Sequence, residues 1–461
     1  MNHLTFASLS LKPALLDNLA TLGFKVMTPI QAHSLPAILD GQDVIGQGKT
    51  GSGKTAAFGL GLLQALDVKL FRIQALVLCP TRELADQVAK DIRNLARAIH
   101  NIKVLTLCGG MPFGPQLGSL SHGAHIVVGT PGRIEDHVNR GTLMLDHVRT
   151  LVLDEADRML DMGFQPALDS IVERVPRNRQ TLLFSATYPR QIEQIADRVM
   201  RQPKLIRVES KQAESTIEQR FYRVTDQKHR FQALRLLLLQ HQPTSALVFC
   251  NTKLETQQVA DGLGQAGFSA KALHGDLEQR DRDQTLVMFS NNSVSVLVAT
   301  DVAARGLDID ALDLVINYQI AHDGDVHLHR VGRTGRAGSK GIACSLFGQR
   351  EQHKLAMIEC DVDPLTEHQP LPADEVLQCA PPVPSMVTLL IDGGKKHKLR
   401  PGDVLGALTA QGGVQGSDVG KIQSFDLRTY VAVGANKSRV ALKKLTDGKL
   451  KGRNFRARLL R

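Results

Sequence analysis

The sequence predicts an α/β protein of two tandem parallel-sheet domains followed by a small basic α+β domain. Three observations carry this. Short apolar runs alternate with amphipathic stretches up to about residue 208. The same alternation resumes after residue 216. Beyond a proline-rich stretch the order changes to strand, helix, strand, strand, helix, strand. With 461 residues, 43% of them apolar, the chain is long enough for about three cores.

Charge separates the last part from the rest. The segment Met386 to Arg461 holds 16 Lys and Arg against 5 Asp and Glu, a net of +11 in a chain whose total is +10, so everything before the tail nets −1. A basic module on a neutral body points to a polyanionic partner bound in a salt-dependent way. The N-terminus has no basic stretch feeding an apolar one, and the Leu-rich run Leu234 to Leu239 is broken by Arg235, so neither a signal peptide nor a membrane span is expected. The six cysteines are scattered with no C-x-x-C pair, which argues for reduced thiols and against a zinc site.

In the first domain, residues 1–208, strands are expected at Ala75 to Cys79, Val104 to Leu107, Ile126 to Val128, Leu151 to Leu153, Thr181 to Phe184 and Leu205 to Val208. In such a sheet ligands bind where strands end. The stretch Val44 to Thr55, V-I-G-Q-G-K-T-G-S-G-K-T, runs from an apolar segment into the helix-forming Ala56 to Leu66. Gly48, Gly53, Lys54 and Thr55 satisfy G-x-x-x-x-G-K-[ST], with Thr50, Gly51 and Ser52 between them. Glycines let the backbone approach phosphates, and successive N–H groups at the helix start bind the anion. Lys54 is expected to reach the β- and γ-phosphates and Thr55 to ligate Mg²⁺. Leu151 to Leu153 leads directly into Asp154-Glu155-Ala156-Asp157. A carboxylate there, Asp154, can hold Mg²⁺ through water, and Glu155 can orient and deprotonate an attacking water.

With D-E-A-D downstream of G-K-T-G-S-G-K-T, the chain resembles the DEAD-box RNA helicases over nearly its whole length. That resemblance implies two RecA-like domains, ATP with Mg²⁺ as cofactors, and RNA-dependent ATP hydrolysis. Gly23-Phe24 with Thr28-Pro29-Ile30-Gln31 resembles the family's Q motif, in which Gln31 reads the polar edges of adenine and an aromatic stacks on its ring; Phe6 matches the isolated upstream aromatic. Met27 stands where the family usually has proline, and is expected to loosen that turn without changing adenine choice. Pro80-Thr81-Arg82, Gly109-Gly110 with Gln116, and Thr130-Pro131-Gly132-Arg133 resemble the RNA-backbone contacts, where hydroxyls, small residues and helix N-termini suit phosphate and ribose. Ser185-Ala186-Thr187 resembles the motif that couples the nucleotide site to strand separation, through Ser185 and Thr187.

Glu209 to Thr216 reads as a hinge, and the second domain occupies residues 217–368. Its strands are expected at Ala246 to Cys250, Ser269 to Leu273, Val294 to Ala299, Leu312 to Asn317 and Ile342 to Phe347. It has no phosphate loop of its own. His329 to Gly338 carries Arg330, Arg333 and Arg336 at three-residue intervals among glycines, which can bring planar guanidinium groups to a polyphosphate without crowding. The block resembles the family's arginine-finger motif, with Arg333 and Arg336 near the γ-phosphate. Thr300 and Asp301 resemble further RNA contacts and Asp308 a ribose contact, while His274, Gly275, Gln279 and Arg282 resemble the second domain's RNA contacts. Val287 occupies a place where relatives often carry arginine.

Gln369 to Ser385 contains five prolines and reads as a semi-rigid linker. In residues 386–461 the element order fits an RNA-recognition-motif fold, with strands at Val387 to Ile391, Val419 to Phe425, Thr429 to Val433 and Phe455 to Leu460. Arg428 and Leu390 stand where that fold usually places base-stacking aromatics, so binding is expected from Lys395, Lys396, Lys398 and Arg400, and from Lys449, Lys451, Arg453, Arg456 and Arg458. Domains and tail together resemble a bacterial branch of the family. That resemblance implies recognition of a hairpin of large-subunit (23S) ribosomal RNA and a role in assembling that subunit. The expected protein is a cytoplasmic monomer with RNA as partner and no membrane association; an RNA clamp whose ATP use only regulates residence is the alternative reading.

Overall fold

The apolar runs of the first domain become strands buried on both faces, because helices cover each side of a parallel sheet. The structure, a computed structural model, describes residues 5–48, 51–188, 190–208, 217–304, 312–335, 341–356, 358, 365 and 367–460. Thr50, Asp308 and Arg336, singled out above, lie outside these residues.

In the first unit the strands are β1 (Val44–Gln47), β2 (Ala75–Leu78), β3 (Val104–Leu107), β4 (Ile126–Gly129), β5 (Thr150–Asp154), β6 (Gln180–Ser185) and β7 (Lys204–Arg207). They pair in parallel in the order β3-β4-β2-β5-β6-β1-β7. One face packs under helices Pro29–Leu39, Lys54–Ala65 and Arg82–Leu95, the other against Pro131–Asn139, Gln165–Arg174 and Arg190–Val199. The order places β1 and β5 on either side of β6, so the chain that follows each opens toward the same end of the sheet.

The second unit contains a parallel sheet of β8 (Ile217–Arg223), β9 (Ala246–Cys250), β10 (Ala270–Leu273), β11 (Val296–Thr300), β12 (Leu314–Asn317) and β13 (Gly341–Phe347), ordered β10-β11-β9-β12-β13-β8. Strand β8 was not among the expected strands. Its I-E-Q-R-F-Y-R alternates charge with apolar residues because it lies on the sheet edge, with only Phe221 and Tyr222 buried. The five described cysteines are unpaired, and all but Cys379 are buried.

The same unit carries the tail as an antiparallel sheet, β14 (Met386–Ile391), β15 (Val419–Ser424), β16 (Thr429–Gly434) and β17 (Ala457–Leu459), ordered β15-β16-β14-β17, with helices Pro401–Thr409 and Ser438–Asp447. Period-two alternation gives this sheet two apolar faces. Leu389, Ile391, Val431 and Val433 pack against the tail's helices. Leu390 and Tyr430, on the other face, pack against Val287 of the helix Gln279–Ser290. Thr388 lies beside them, accepting from Asn291 Nδ2 at 2.9 Å and donating to Ser293 Oγ at 2.8 Å. The face on which base stacking was to be judged is therefore closed by the second domain. Val287, where relatives often carry a cation, is part of its cover.

The proline-rich linker is not a free spacer. Gln369 bridges to Tyr222 of β8, Leu371, Val376 and Leu377 pack on the second domain's core, and Gln232 Nε2 donates to Asp374 Oδ1 at 2.8 Å.

Candidate nucleotide and RNA site

The phosphate-loop pattern becomes a cradle because β1 ends at Gln47 and the helix Lys54–Ala65 begins seven residues later. Gly53 caps that helix at φ +94°, a left-handed conformation that a side chain would strain, and a Cβ there would run into the Gln31 amide. Gly51 sits at φ +79°. Lys54 is buried, its Nζ donating to Gly48 O at 2.6 Å across the loop. The hydroxyls of Thr28 and Ser52, both buried, have no protein partner, which is costly unless a ligand supplies one. Unpartnered hydroxyls from the glycine-rich loop and from the start of the helix Pro29–Leu39, with an ammonium and helix-terminal N–H groups, fit a nucleoside triphosphate.

Gln31 lies against the glycine-rich loop. Its Oε1 accepts from Thr28 N at 2.9 Å and its Nε2 donates to Gly53 O at 3.1 Å, so the amide that would read the base is aimed by the helix start and by the cradle itself. Phe6 is buried and packs edge-to-face on Phe24 at 6.1 Å, whereas Phe24 is 37% exposed. Of the two rings, Phe24 is the one open to stacking. Met27 is buried in the core beneath this turn.

Asp154, the last residue of β5, is buried and pushed up to about 7, first by burial, with Lys54 opposing and Glu155 adding. Glu155 follows at φ +51°. A non-glycine residue in that conformation stores strain, held here at the turn from β5 into the helix Ala156–Asp161. Asp154 and Thr55, with waters and phosphate oxygens, make a set suited to Mg²⁺, which takes few carboxylates. A cation must displace the proton that burial leaves on Asp154. Divalent-metal and nucleotide affinity should therefore rise with pH through about 7 and weaken below it, with proton release on binding. Calorimetry in two buffers of different ionisation enthalpy reads this out, and affinity flat across that range would contradict it.

Coupling follows from strand order. Since β1 and β6 are neighbours, Gly48 N donates to Ser185 O at 3.1 Å, joining cradle and tripeptide. Asp157 Oδ2 accepts from Thr187 N at 3.1 Å and from Thr187 Oγ1 at 2.9 Å. Burial disfavours its charge, but Arg158 and the Thr187 bonds outweigh burial and hold Asp157 below the usual carboxylate range. Asp157 is thus a residue that sequence reading did not single out, although its place three residues after Asp154, turned back toward β6, was the available signal.

At the strand ends beyond, Thr81 follows Pro80 and caps the helix Arg82–Leu95 by accepting from Leu84 N at 3.3 Å. Gly109 N donates to Thr130 Oγ1 at 3.3 Å, Gly110 turns at φ +73°, and Arg133 Nη1 donates to Met111 O at 2.9 Å. Gly110 and Thr130 to Arg133 are therefore brought together. Gln116 is not presented with them. It is buried, and its amide is taken up by Cys108 O and His137.

In the second unit, His274 and Gly275 follow β10, Arg282 Nη1 donates to His274 O at 3.3 Å, and Gln279 opens the next helix. Thr300 ends β11 and is followed by Asp301. The first of the three arginines departs from expectation. Arg330 is 1% exposed, bonded to both Asp301 carboxylate oxygens at 2.6 and 2.7 Å, to Asn251 Oδ1 at 2.7 Å and to Gln319 O at 2.7 Å, with its guanidinium 5.1 Å from the Phe249 ring centre. It braces the segment and is not available to a phosphate. Arg333 follows two residues after the helix Gly324–Val331 ends and is buried.

The tail's cations gather on one rim. Lys395, Lys396, Lys398, Arg400, Lys451, Arg453 and Arg456 are exposed, and Lys451 Nζ donates to Lys398 O at 2.9 Å, joining the two basic loops. Lys451 also pairs with Asp403 at 3.2 Å.

Comparison with known proteins agrees with this geometry. Residues 28–195 match the DEAD/DEAH box helicase model, 229–338 the helicase conserved C-terminal domain, and 388–459 the DbpA RNA binding domain. The chain is 55% identical over 451 residues to the ATP-dependent RNA helicase DbpA of Escherichia coli K12, covering 98% of each. It is 44% identical over 355 residues to the DEAD-box ATP-dependent RNA helicase CshA of Geobacillus kaustophilus, covering 77% of this chain and 76% of that one. Among solved structures, S. cerevisiae Dbp5 bound to RNA and ADP BeF3 is similar at 29% identity and a TM-score of 0.72, over 81% of this chain and 98% of that one. The chain belongs to the DEAD-box ATP-dependent RNA helicases, RNA-dependent ATPases, and carries an RNA-binding domain after its two helicase domains.

Proposed function

We propose that this helicase locally separates short RNA duplexes at a hairpin of large-subunit ribosomal RNA, to which its tail directs it, during assembly of that subunit in the cytoplasm. The observation that carries the reading is the tail's rim. The sheet face that would ordinarily stack bases is covered by Val287, Asn291 and Ser293, while the exposed cations lie on the two loops joined through Lys451 and Lys398. Loops and cations suit the shape and phosphates of a hairpin more than an extended single strand. Asp154 and Thr55 would hold Mg²⁺, which would supply positive charge beside the phosphates, while Glu155 positions water and Arg333 and Arg336 offset the charge of the transition state. The protein acts as a monomer.

Deleting residues 386–461 would strip the cover from Val287 and confuse specificity with stability, so substitution is the better test. Lys398→Glu with Arg453→Glu and Arg456→Glu should erase the preference for a ribosomal hairpin over an arbitrary duplex in RNA-stimulated ATPase assays. It should also lower the salt slope of hairpin binding by about two to three. Preference retained in that variant would return specificity to the helicase domains.

A further inference from the structure

The nucleotide and RNA motifs account for most polar groups at the strand ends of the first unit, but leave a buried histidine unexplained. His137, on the helix Pro131–Asn139, is 0% exposed. Its Nε2 lies 3.1 Å from Gln116 Oε1, and Gln116 Nε2 donates to Cys108 O at 2.9 Å. That assignment of the amide makes Gln116 Oε1 an acceptor, so His137 carries its proton on Nε2. Nδ1 then accepts from the hydroxyl of Thr142, whose Oγ1 is 2.9 Å away and also within bonding distance of His137 O, at 3.0 Å. One face of the ring stacks on Phe113, with centroids 4.2 Å apart and planes 17° from parallel, and Arg140 lies 4.5 Å from the Phe113 ring centre.

Each partner leads to one of the two loops read as RNA contacts. Cys108 immediately precedes Gly109-Gly110, Phe113 begins the helix that follows them, and His137 itself is on the helix that Thr130-Pro131-Gly132-Arg133 opens. Outside this set the described bonds between these segments include Gly109 N to Thr130 Oγ1 at 3.3 Å, Arg133 Nη1 to Met111 O at 2.9 Å and, at the strand end, Thr130 N to Leu107 O at 3.2 Å. A phosphate held by N–H groups from both loops needs their spacing held within a fraction of an ångström. We infer that His137 is a positioning residue for RNA: through Gln116 and Phe113 it fixes the Gly109-Gly110 loop against the Thr130–Arg133 helix start, and so sets the first domain's grip on the RNA backbone.

The groups facing the ring are Arg133, Asp136 and Arg140 from its own helix, with Gln116 and Phe113 from the neighbouring one. Burial and the two guanidinium groups favour the neutral ring. Should it gain a proton, Thr142 Oγ1 can turn to His137 O, 3.0 Å away, and Nδ1 can donate, so the geometry is a brace and not a pH switch.

The inference rests on the reading of these loops as RNA contacts, and the test separates the two. Full-length protein is assayed for ATPase with bulk ribosomal RNA, measuring the RNA concentration for half-maximal rate, the rate at saturating RNA and the ATP concentration for half-maximal rate. His137→Phe keeps the stack on Phe113 and removes both ring nitrogens; it should raise the RNA requirement by about tenfold while ATP half-saturation and the saturated rate stay within about twofold. His137→Gln places an N–H where Nε2 was and should recover most of that loss. Arg133→Ala tests the loops directly. If Arg133→Ala weakens RNA use and His137→Phe does not, or if His137→Phe impairs ATP and RNA alike, the positioning role is overturned. If Arg133→Ala has no effect, the RNA reading of the loops falls and the inference with it.

Discussion

Lys54→Ala should bring RNA-stimulated ATP turnover down by at least about a hundredfold, the loss expected when one preorganised electrostatic donor is removed from a phosphoryl-transfer site. The structure gives two reasons for an effect at the high end. Lys54 is already desolvated, with its Nζ held on Gly48 O, so its charge acts in a low-dielectric site where it is worth more than in water. It is also the cation that opposes the upward push of burial on Asp154. Without it the carboxylate holds its proton more tightly, and the metal is weakened together with the phosphates. Raising pH should therefore restore part of the metal affinity but little of the turnover, since the missing ammonium is not replaced. Turnover near the wild-type value, measured with saturating RNA, would contradict the cradle assignment.

Arg330→Met should destabilise the second unit by about 3–5 kcal/mol, the cost typical of leaving a buried charge without its partner. Asp301 would lose both of its guanidinium bonds, and Asn251 and Gln319 would each lose a donor. Denaturant unfolding should report the change as a lower midpoint with little change in slope. Arg336→Ala makes the contrasting case. As a finger in the arginine block it should leave the unfolding midpoint in place and nucleotide binding intact while lowering turnover by about 10³. An effect below about tenfold would remove Arg336 from that role. A shared phenotype, with Arg330→Met as stable as the wild type, would mean that the buried brace carries little energy.

These expectations show how unevenly function was legible. The turn from β1 into the helix Lys54–Ala65, with Gly51 and Gly53 at positive φ, was readable because such a loop needs glycines at fixed spacing, and no distant contact can substitute for them. The strands were readable for a related reason: a strand buried on both faces must be apolar throughout, whatever covers it. Strand β8 escaped because an edge strand is only partly buried and its charged residues break the pattern. The arginine block was readable as a block, but its first member was not. Arg330 and Arg333 are the same residue type three positions apart, and nothing in the sequence shows that the first of them lies on the Asp301 carboxylate.

The chain by itself determined which segments would be the buried strands, where the glycine-rich loop and the D-E-A-D turn would lie, and that a basic module would follow two α/β domains. Tertiary structure alone decided that Leu390 and Tyr430 face Val287 and not RNA, that the proline-rich segment lies along the second domain, and that Gln116 turns inward to His137. The physical reason is that periodicity specifies which side of an element is apolar, whereas the identity of the surface that covers it depends on residues far away in the chain, as in the pairing of Thr388 with Asn291, 97 residues apart, and of Gln232 with Asp374, 142 apart.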